Sequence, residues 1–472
     1  MNILATLDDP KLFGPHFRGD TWAPWRAFLA ALFALPMDDA ALAIYHARTG
    51  RQDAPARAFS EAALVIGRRG GKSRVLALLG VYLACFRDYA PHLAPGEVAT
   101  IGIIAADRRQ ARVIFRFVSG LLRATPLLAG MIAEETAETI KLKNRVQIEI
   151  GTASFRVTRG YTYAAVLCDE TAFWRSDDSA NPDTEIVAAL RPGMATIPGS
   201  VLLLASSPYR KRGVLHAHYI KYFGRDDARV LVWQAPSLAM NPGLDAAIVA
   251  EAYADDPDAA AAEYGAEFRS DLSDFVPRSV IEAVTVPGRL ELPPVSGVTY
   301  RAFVDPSGGT GADSMTLAIG HRQGDVAVLD AVRDVRPPFS PDGVTADFAA
   351  LLRSYGVSRV TGDRYAGEWP RERFRVHGIV YEVADRPRSD LYRDALPLLN
   401  SGRCELLDVP RLAQQFTGLE RRTGRGGRDS IDHPPGAHDD LANVAAGALL
   451  LVAGAARAAV PHRFVKLNYI ER

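Results

Sequence analysis

A glycine-rich turn that leads into a lysine and a serine is the first set of residues that could do chemistry. The apolar run 62–67 is followed by Gly67-Arg68-Arg69-Gly70-Gly71-Lys72-Ser73, and a helical stretch runs from Lys72 to Arg87. Backbone N–H groups and the helix dipole at such a turn attract phosphate. The lysine can reach the β- and γ-phosphates, and the serine hydroxyl can coordinate Mg²⁺. The pattern predicts a nucleoside triphosphate site, although Ile66 stands where GxxxxGK[ST] has its first glycine.

Two adjacent carboxylates, Asp169 and Glu170, end the apolar run 164–169. At the carboxyl end of a buried strand, Asp169 can hold the water shell of Mg²⁺, and Glu170 can orient a water toward the γ-phosphate. The run 201–207 ends in Ser206 and Ser207, whose hydroxyls could sense the γ-phosphate and couple its loss to movement. The alternatives are an acidic turn after any strand and ordinary Ser-Pro turn chemistry.

A second set consists of isolated aspartates at the ends of predicted elements. Asp305 ends the strand 301–305, Asp363 follows the strand 357–362, and Asp439 and Asp440 precede the helix 441–456. Two Mg²⁺ ions about 4 Å apart need such carboxylates to activate water and to stabilise the leaving oxygen of a phosphodiester. The set predicts a two-metal nuclease site made of Asp305, Asp363 and either Asp439 or Asp440. The nearby Asp313 is expected to shape its turn more than to assist.

Helical phase distinguishes the two adjacent aspartates only weakly. Asp440 shares a helical face with Val444 and Gly447, whereas Asp439 shares one with Asn443 and Ala446. The residues on the face of Asp440 predict that this face is nearer the buried side of the helix, so we slightly favour Asp440 as the metal ligand.

Two other polar clusters have a structural and a functional interpretation. The segment 419–430 carries arginines around glycines and could neutralise DNA phosphates or be a solvated loop; they are Arg421, Arg422, Arg425 and Arg428. His216 and His218 are spaced like metal ligands, but no third ligand is in view, so we expect a structural role for them.

The elements that must position these residues divide the chain into two α/β blocks. Strand-like runs alternate with helical stretches in the first block, which is typical of a doubly wound sheet; the strands are 62–67, 98–106, 146–151, 164–169 and 201–207. A proline-rich segment then breaks the pattern. The second block opens with a predicted antiparallel meander, formed by 301–305, 314–321 and 325–333. We expect domains at 1–270 and 298–460, joined by a linker at 271–297 and followed by a tail at 461–472.

The composition and the apolar runs exclude several classes of protein. The 472 residues carry 55 basic and 55 acidic side chains, which excludes a uniformly basic coat but not a local basic groove. Three cysteines without CxxC spacing argue against a disulfide framework and a zinc site. The N-terminus does not resemble a signal peptide, and the run 441–456 is shorter than the roughly 20 residues of a membrane span. We expect a protein of a reducing cytosol with no membrane association.

The ordered motifs resemble the large terminase subunit of tailed phages, in the HK97-like group that includes gene transfer agent terminases. They are GRRGGKS (67–73), RGYTYAAVLCDE (159–170), LLLASSP (202–208), VDPSGG (304–309), TGDRYAGEWP (361–370) and HDDLANVAAGAL (438–449). The resemblance implies an N-terminal RecA/ASCE-like P-loop ATPase domain and a C-terminal RNase H-like nuclease domain. It also implies that segment 20–36 helps to enclose the adenine.

The same resemblance implies site residues. Arg68 matches the P-loop arginine, and Arg159 lies where relatives place an arginine supplied to the neighbouring subunit's ATP. Glu170 matches the catalytic carboxylate, and the pair 206–207 matches the coupling motif. Asp305 and Asp363 match the first two nuclease acids, with Asp363 standing where some relatives carry Glu.

The resemblance further implies cofactors, partners and a location. The cofactors are ATP and Mg²⁺, with Mn²⁺ able to substitute in the nuclease site. The partners are double-stranded DNA, the portal protein of the procapsid, the small terminase subunit and other copies in a pentameric ring. The location is the host cytoplasm and, transiently, the portal vertex, but not the mature particle.

Three alternatives compete with this interpretation. A superfamily 2 helicase would share the P-loop and the Asp-Glu strand, but it would need a second RecA-like domain. A Holliday-junction resolvase or transposase would share the nuclease acids but not the P-loop. A packaging motor with an inactive nuclease would keep both sets of motifs.

Overall fold

The computed structural model describes residues 1–153, 160–174, 182–311, 313–363, 369–423, 429–434 and 437–454. They form two compact units, Met1–Leu272 and Ser273–Arg472. Within the described residues, no helix combines the length and the apolar character that crossing a membrane requires.

The first unit is built on one eight-stranded sheet. Its strands are β1 (Glu61–Ile66), β2 (Ala99–Ala105), β3 (Ile132–Glu135), β4 (Thr139–Leu142), β5 (Val146–Thr152), β6 (Thr162–Asp169), β7 (Val201–Ser206) and β8 (Val230–Ala235). Their order is β3-β4-β5-β2-β6-β7-β1-β8. The six strands from β5 to β8 pair in parallel, and β3 and β4 extend the sheet as an antiparallel hairpin.

Helices cover both faces of this sheet. They are α1 (Ile3–Asp8), α2 (Ala23–Leu32), α3 (Asp39–Thr49), α4 (Lys72–Phe86), α5 (Arg108–Ala124), α6 (Pro126–Ala129), α7 (Pro182–Met194), α8 (Gly213–Tyr222), α9 (Ser237–Met240), α10 (Ala246–Asp255) and α11 (Pro257–Glu263). Leu64 of β1 packs in a core with α4 and α5, and Val65 packs in a second core with α7 and α8. Because both faces are covered, β1 is apolar along most of its length. The predicted doubly wound fold is confirmed.

The topology brings the predicted nucleotide-site residues to one edge. β1, β7 and β6 are parallel neighbours, so their carboxyl ends lie side by side. The glycine-rich turn follows β1, Ser206 ends β7 and Asp169 ends β6. A crevice at the carboxyl ends of parallel strands is where ligands bind in open α/β sheets.

The second unit is built on a six-stranded mixed sheet of order β14-β13-β10-β11-β12-β15. The strands that follow along the chain are β9 (Leu272–Asp274), β10 (Tyr300–Asp305), β11 (Met315–Gln323), β12 (Val326–Val335), β13 (Arg359–Gly362), β14 (Val380–Val383), β15 (Cys404–Glu405), β16 (Glu420–Thr423) and β17 (Asp429–Asp432), and β10 to β15 form this sheet. β10, β11 and β12 form the predicted antiparallel meander, and β13 adds in parallel beside β10. β9, β16 and β17 form a separate small sheet.

Helices again cover both faces of the six-stranded sheet. They are α12 (Arg278–Val284), α13 (Pro341–Ser354), α14 (Trp369–Val376), α15 (Arg388–Asn400), α16 (Pro410–Gly418) and α17 (Asp440–Ala453). The apolar helix α17 packs on the meander and is covered by α15 and α16, whereas α13 and α14 belong to the opposite core. This arrangement agrees with the predicted RNase H-like class, and the packing of α17 between the meander and helices α15 and α16 explains its apolar sequence.

The segment predicted as a linker, 271–297, differs from that prediction. It contains α12, whose Ile281 and Val284 are buried in the core of the second unit together with Phe275 and Val276. Its prolines bound a short amphipathic helix, and the apolar side chains of that helix pack. The predicted tail, 461–472, lies outside the described residues.

Candidate active sites

The glycine-rich turn forms a loop that ends at the start of α4. Gly71 is the N-cap residue and has φ +97°, a conformation that favours glycine. Lys72 is 5% exposed, and its Nζ donates hydrogen bonds to the carbonyls of Ile66 (2.9 Å) and Gly67 (3.3 Å). Ser73 follows in the first turn of α4, where backbone N–H groups have no partner within the helix.

Side chains from distant segments hold the carbonyls of this loop. Ser237 Oγ donates to the Arg68 carbonyl (2.6 Å), Asn241 Nδ2 to the Arg69 carbonyl (2.9 Å) and Trp25 Nε1 to the Gly70 carbonyl (3.0 Å). The amides of Gly67, Arg68 and Gly70 donate to carbonyls, so the loop is held in one shape and the N–H groups at the start of α4 are the ones that can serve an anion. The side chains of residues 68 and 69 are exposed.

The two carboxylates after β6 lie opposite the lysine. Glu170 Oε1 is 3.7 Å from Lys72 Nζ, and Glu170 Oε2 accepts hydrogen bonds from Ser206 Oγ (3.0 Å) and Ser207 N (3.4 Å). Asp169 is buried, and among the described residues its Oδ1 has no hydrogen-bond partner. Burial, with the adjacent charge of Glu170, raises the pKa of Asp169 to about 7. A buried carboxylate oxygen without a partner beside a phosphate-binding loop fits a Mg²⁺ ion.

Two of the predicted nuclease acids meet around an asparagine that we did not assign to the site. Asp305 ends β10 and Asp363 follows β13, and these strands are parallel neighbours. The Nδ2 atom of Asn443 on α17 donates to Asp305 Oδ2 (2.9 Å) and to Asp363 Oδ2 (2.8 Å). Burial and the charge of Asp363 raise the pKa of Asp305 to about 8, and burial raises the pKa of Asp363.

The predicted pair on α17 separates into two environments. Asp439 is the N-cap residue, and its carboxylate accepts hydrogen bonds from Arg388 Nη1 (2.9 Å) and Tyr392 Oη (2.7 Å). Asp440 begins the helix, and its Oδ2 accepts from the backbone N–H of Ser314 (3.1 Å). The carboxylate of Asp440 therefore keeps more of its ligand capacity.

Helical phase applies only to residues inside the helix, and α17 includes one of the two aspartates. The helix begins at Asp440, so Asn443 lies one turn from Asp440 and faces the carboxylates. Asp439 precedes the helix with non-helical dihedral angles (φ −134°, ψ 15°), so helical phase does not determine where its side chain lies.

Asp440 also belongs to a second group of possible metal ligands, which contains a histidine. One ligand atom from each of Asp313, His438 and Asp440 lies within 4.8 Å of the others. Asp313 is exposed, and its Oδ1 is 3.4 Å from His438 Nδ1. The sequence signal for this group was the histidine directly before the Asp-Asp pair, which we did not use. The oxygen-rich set around Asp305, with a single imidazole at its margin, fits Mg²⁺ or Mn²⁺.

The remaining predicted residues fall into two groups. His218 is buried, and its Nε2 lies 2.7 Å from Glu61 Oε1, so its predicted structural role is confirmed. Arg421 and Arg422 lie on β16 of the β16–β17 hairpin, and Arg421 pairs with Asp429. Outside the described residues lie Arg159, Arg425 and Arg428.

Several supporting residues could not be found from sequence. Trp25, Ser237 and Asn241 lie far from the glycine-rich turn in the chain, and Arg388 and Tyr392 lie far from Asp439. No local pattern marks them, because their partners are chosen by tertiary packing.

Comparison with known proteins gives structural neighbours only. No protein-family model matches the chain, and no curated protein matches it. The structural neighbours are large terminases of phages, the family that the motifs resemble. The crystal structure of the HK97 bacteriophage large terminase is 17% identical, with a TM-score of 0.42, over 95% of this chain and 98% of that one.

Two other neighbours come from thermophilic phages. The large terminase of one thermophilic bacteriophage, in complex with ADP, is 12% identical, with a TM-score of 0.37, over 82% of this chain and 92% of that one. The large terminase nuclease of another, phage G20c, with bound magnesium is 14% identical, with a TM-score of 0.32, over 36% of this chain and 95% of that one. Likenesses at these TM-scores carry no argument about the activity of this chain, which depends on the geometry of its own residues.

Proposed function

We propose that the chain is a large terminase subunit, an ATP-driven motor that moves double-stranded DNA into a procapsid and cuts concatemeric DNA with a two-metal nuclease. One observation carries the proposal. The same chain holds a P-loop lysine opposite a strand-end Asp-Glu pair in one unit and a cluster of aspartates on a mixed sheet in the other.

The first site is proposed to hydrolyse ATP. The loop 67–73 places the N–H groups at the start of α4 against the phosphates, and Lys72 neutralises their charge. Ser73 and Asp169 would hold Mg²⁺, which when bound offsets charge on the β- and γ-phosphates. Glu170 orients the attacking water. Its hydrogen bond from Ser206 links this carboxylate to the end of β7, so a change at the γ-phosphate can move that strand end and the segment after it.

The second site is proposed to cleave DNA. Asp305, Asp363 and Asp440 would hold two divalent cations, Mg²⁺ or Mn²⁺, which when bound activate water and stabilise the leaving oxygen. The chain supplies a rigid frame for these carboxylates, because each stands at the end of a strand or the start of a helix. Asp439, the alternative ligand, is held by its hydrogen bonds from Arg388 and Tyr392.

The assembly belongs to the same proposal. Copies of the chain act as a pentameric ring on the portal vertex, with a small terminase subunit, in the host cytoplasm and outside the mature particle. Arg159 reaches the ATP of a neighbouring copy. The β16–β17 hairpin, with Arg421 and Arg422, contacts DNA phosphates without reading sequence.

Two assays on the full chain test the proposal and separate it from its competitors. We expect ATP hydrolysis that rises with double-stranded DNA, and nicking of supercoiled plasmid in Mn²⁺ that EDTA abolishes. Hydrolysis without any cleavage in Mg²⁺ or Mn²⁺ would favour a motor with an inactive nuclease. Strand separation of a duplex with a single-stranded tail, driven by ATP, would favour a helicase.

A further inference from the structure

Asn443 is a buried polar side chain of the second unit whose role the proposed function does not explain. It is fully buried on α17, in a stretch where its neighbours from Ala442 to Leu449 are buried and otherwise apolar. Among the described residues its Oδ1 has no hydrogen-bond partner. A buried carbonyl oxygen left without a partner costs free energy, so its presence calls for an explanation.

The other half of the amide makes two hydrogen bonds at once. Nδ2 donates to one oxygen of Asp305 and one oxygen of Asp363, at 2.9 and 2.8 Å. A single NH₂ group between two carboxylates offsets their repulsion with partial positive charge, as a cation does with a full charge. The amide of Asn443 therefore bridges the two acids.

The position of the amide follows from the close approach of α17 to β10. A Cβ atom on Gly447 would lie 2.4 Å from the ring of Phe303, so only glycine allows this approach. The backbone N–H of Asn443 donates to the carbonyl of Asp439 (2.8 Å), the first helical hydrogen bond of that turn. Gln415 Oε1 accepts from the N–H groups of Leu441 and Ala442 and holds the start of the helix.

We propose that Asn443 is a positioning residue of the metal centre, which holds the carboxylates of Asp305 and Asp363 at the spacing that a divalent cation needs. This inference rests on the proposed function, because the centre must bind metal for the residue to position its ligands.

Metal binding, measured apart from catalysis, is the test. We would titrate the full chain with Mn²⁺ in the absence of nucleotide and follow free Mn²⁺ by electron paramagnetic resonance. The ions that belong to this centre are those lost in Asp305→Ala. In Asn443→Leu, which keeps the side-chain size but removes the amide, we expect the Mn²⁺ affinity of this centre to fall by about 10- to 100-fold, the usual loss when a supporting residue is removed.

Two further variants separate positioning from packing. Val444→Ala, at an equally buried position of the same helix, should bind Mn²⁺ like the wild-type chain. Asn443→Asp should bind Mn²⁺ more tightly than Asn443→Leu, because a carboxylate placed against Asp305 and Asp363 can bind the ion directly. Thermal unfolding of each variant reports whether the unit is folded at the titration temperature.

The outcomes separate the positioning role of Asn443 from the existence of the metal centre. If Asn443→Leu binds Mn²⁺ as tightly as the wild-type chain, or if Val444→Ala loses as much affinity, the positioning role is wrong while the nuclease proposal stands. If the wild-type chain and Asp305→Ala bind the same number of Mn²⁺ ions, the metal centre itself is wrong. Weaker binding confined to the Asn443 variants supports the inference.

Discussion

Asp439 and Asp440 are adjacent in the chain, yet their carboxylates have different partners. Asp439 is 1% exposed and is paired with Arg388 and Tyr392, whereas Asp440 accepts one hydrogen bond from the backbone of Ser314. Asp439 makes no side-chain cap for α17. One of these aspartates therefore supports the fold, and the other keeps oxygen available for a ligand.

This difference predicts opposite effects for two substitutions. Asp440→Asn should lose plasmid nicking in Mn²⁺ and change unfolding little. Asp439→Asn should keep substantial nicking but lower the free energy of unfolding by about 2 kcal/mol, because it weakens the pairing of Arg388. The loss is less than for a fully buried pair, since Arg388 is 35% exposed and also pairs with Asp432. Full nicking by Asp440→Asn would remove this residue from the ligand set.

Lys72→Ala should abolish ATP hydrolysis and leave plasmid nicking largely intact. The Lys72 ammonium is held at the loop by two backbone carbonyls and lies beside Glu170, where it can meet phosphate charge. Lys221→Ala, at an exposed lysine of the same unit, is the matched control. Hydrolysis by Lys72→Ala at the rate of this control would show that the glycine-rich turn is not a nucleotide site.

Sequence reasoning succeeded where a residue's position in the chain determines its position in the fold. Asp169 and Asp305 end buried strands, so their places at a sheet edge followed from the strand pattern. It did not find the hairpin β3–β4, because two short, half-exposed strands carry little apolar signal. The partners of Asn443 could not be predicted, because helical phase gives the face of a helix but not the strand ends that this face meets in the folded unit.

The pKa of Asp305, raised from 3.8 to about 8, predicts how stability depends on pH. A carboxyl with a higher pKa in the folded chain lowers stability as the pH rises from the unfolded value to the folded one. In EDTA, the second unit should therefore lose stability between about pH 4 and 8. At pH 8, Asp305→Asn should be more stable than the wild-type chain in EDTA and should gain less from added Mn²⁺ in thermal unfolding. Asp347→Asn, an exposed control, should behave like the wild-type chain.

Trp25→Phe should weaken ATP binding without unfolding the first unit. The indole Nε1 donates to the Gly70 carbonyl, and the ring is 1% exposed, so phenylalanine removes this hydrogen bond and part of the packing but keeps an aromatic ring. Loss of about 1 kcal/mol corresponds to a rise in the KM for ATP of roughly fivefold, if the loop shape matters only for binding. Trp233→Phe, at an equally buried tryptophan, should leave the KM unchanged. An equal rise of the KM in both variants would mean that the effect comes from lost core packing and not from the hydrogen bond to Gly70.

His438→Ala should change which metal supports DNA cleavage. The imidazole lies 3.4 Å from Asp313, and both residues can share a cation with Asp440. Imidazole suits Mn²⁺ better than Mg²⁺, which takes oxygen ligands almost exclusively. We therefore expect nicking in Mn²⁺ to fall by about tenfold and nicking in Mg²⁺ to fall less, when each is measured against metal concentration. His377→Ala, at a half-buried histidine of the same unit, should leave the ratio of the two rates unchanged. Equal losses in both metals would mean that His438 supports the fold near Asp440 and does not select the ion.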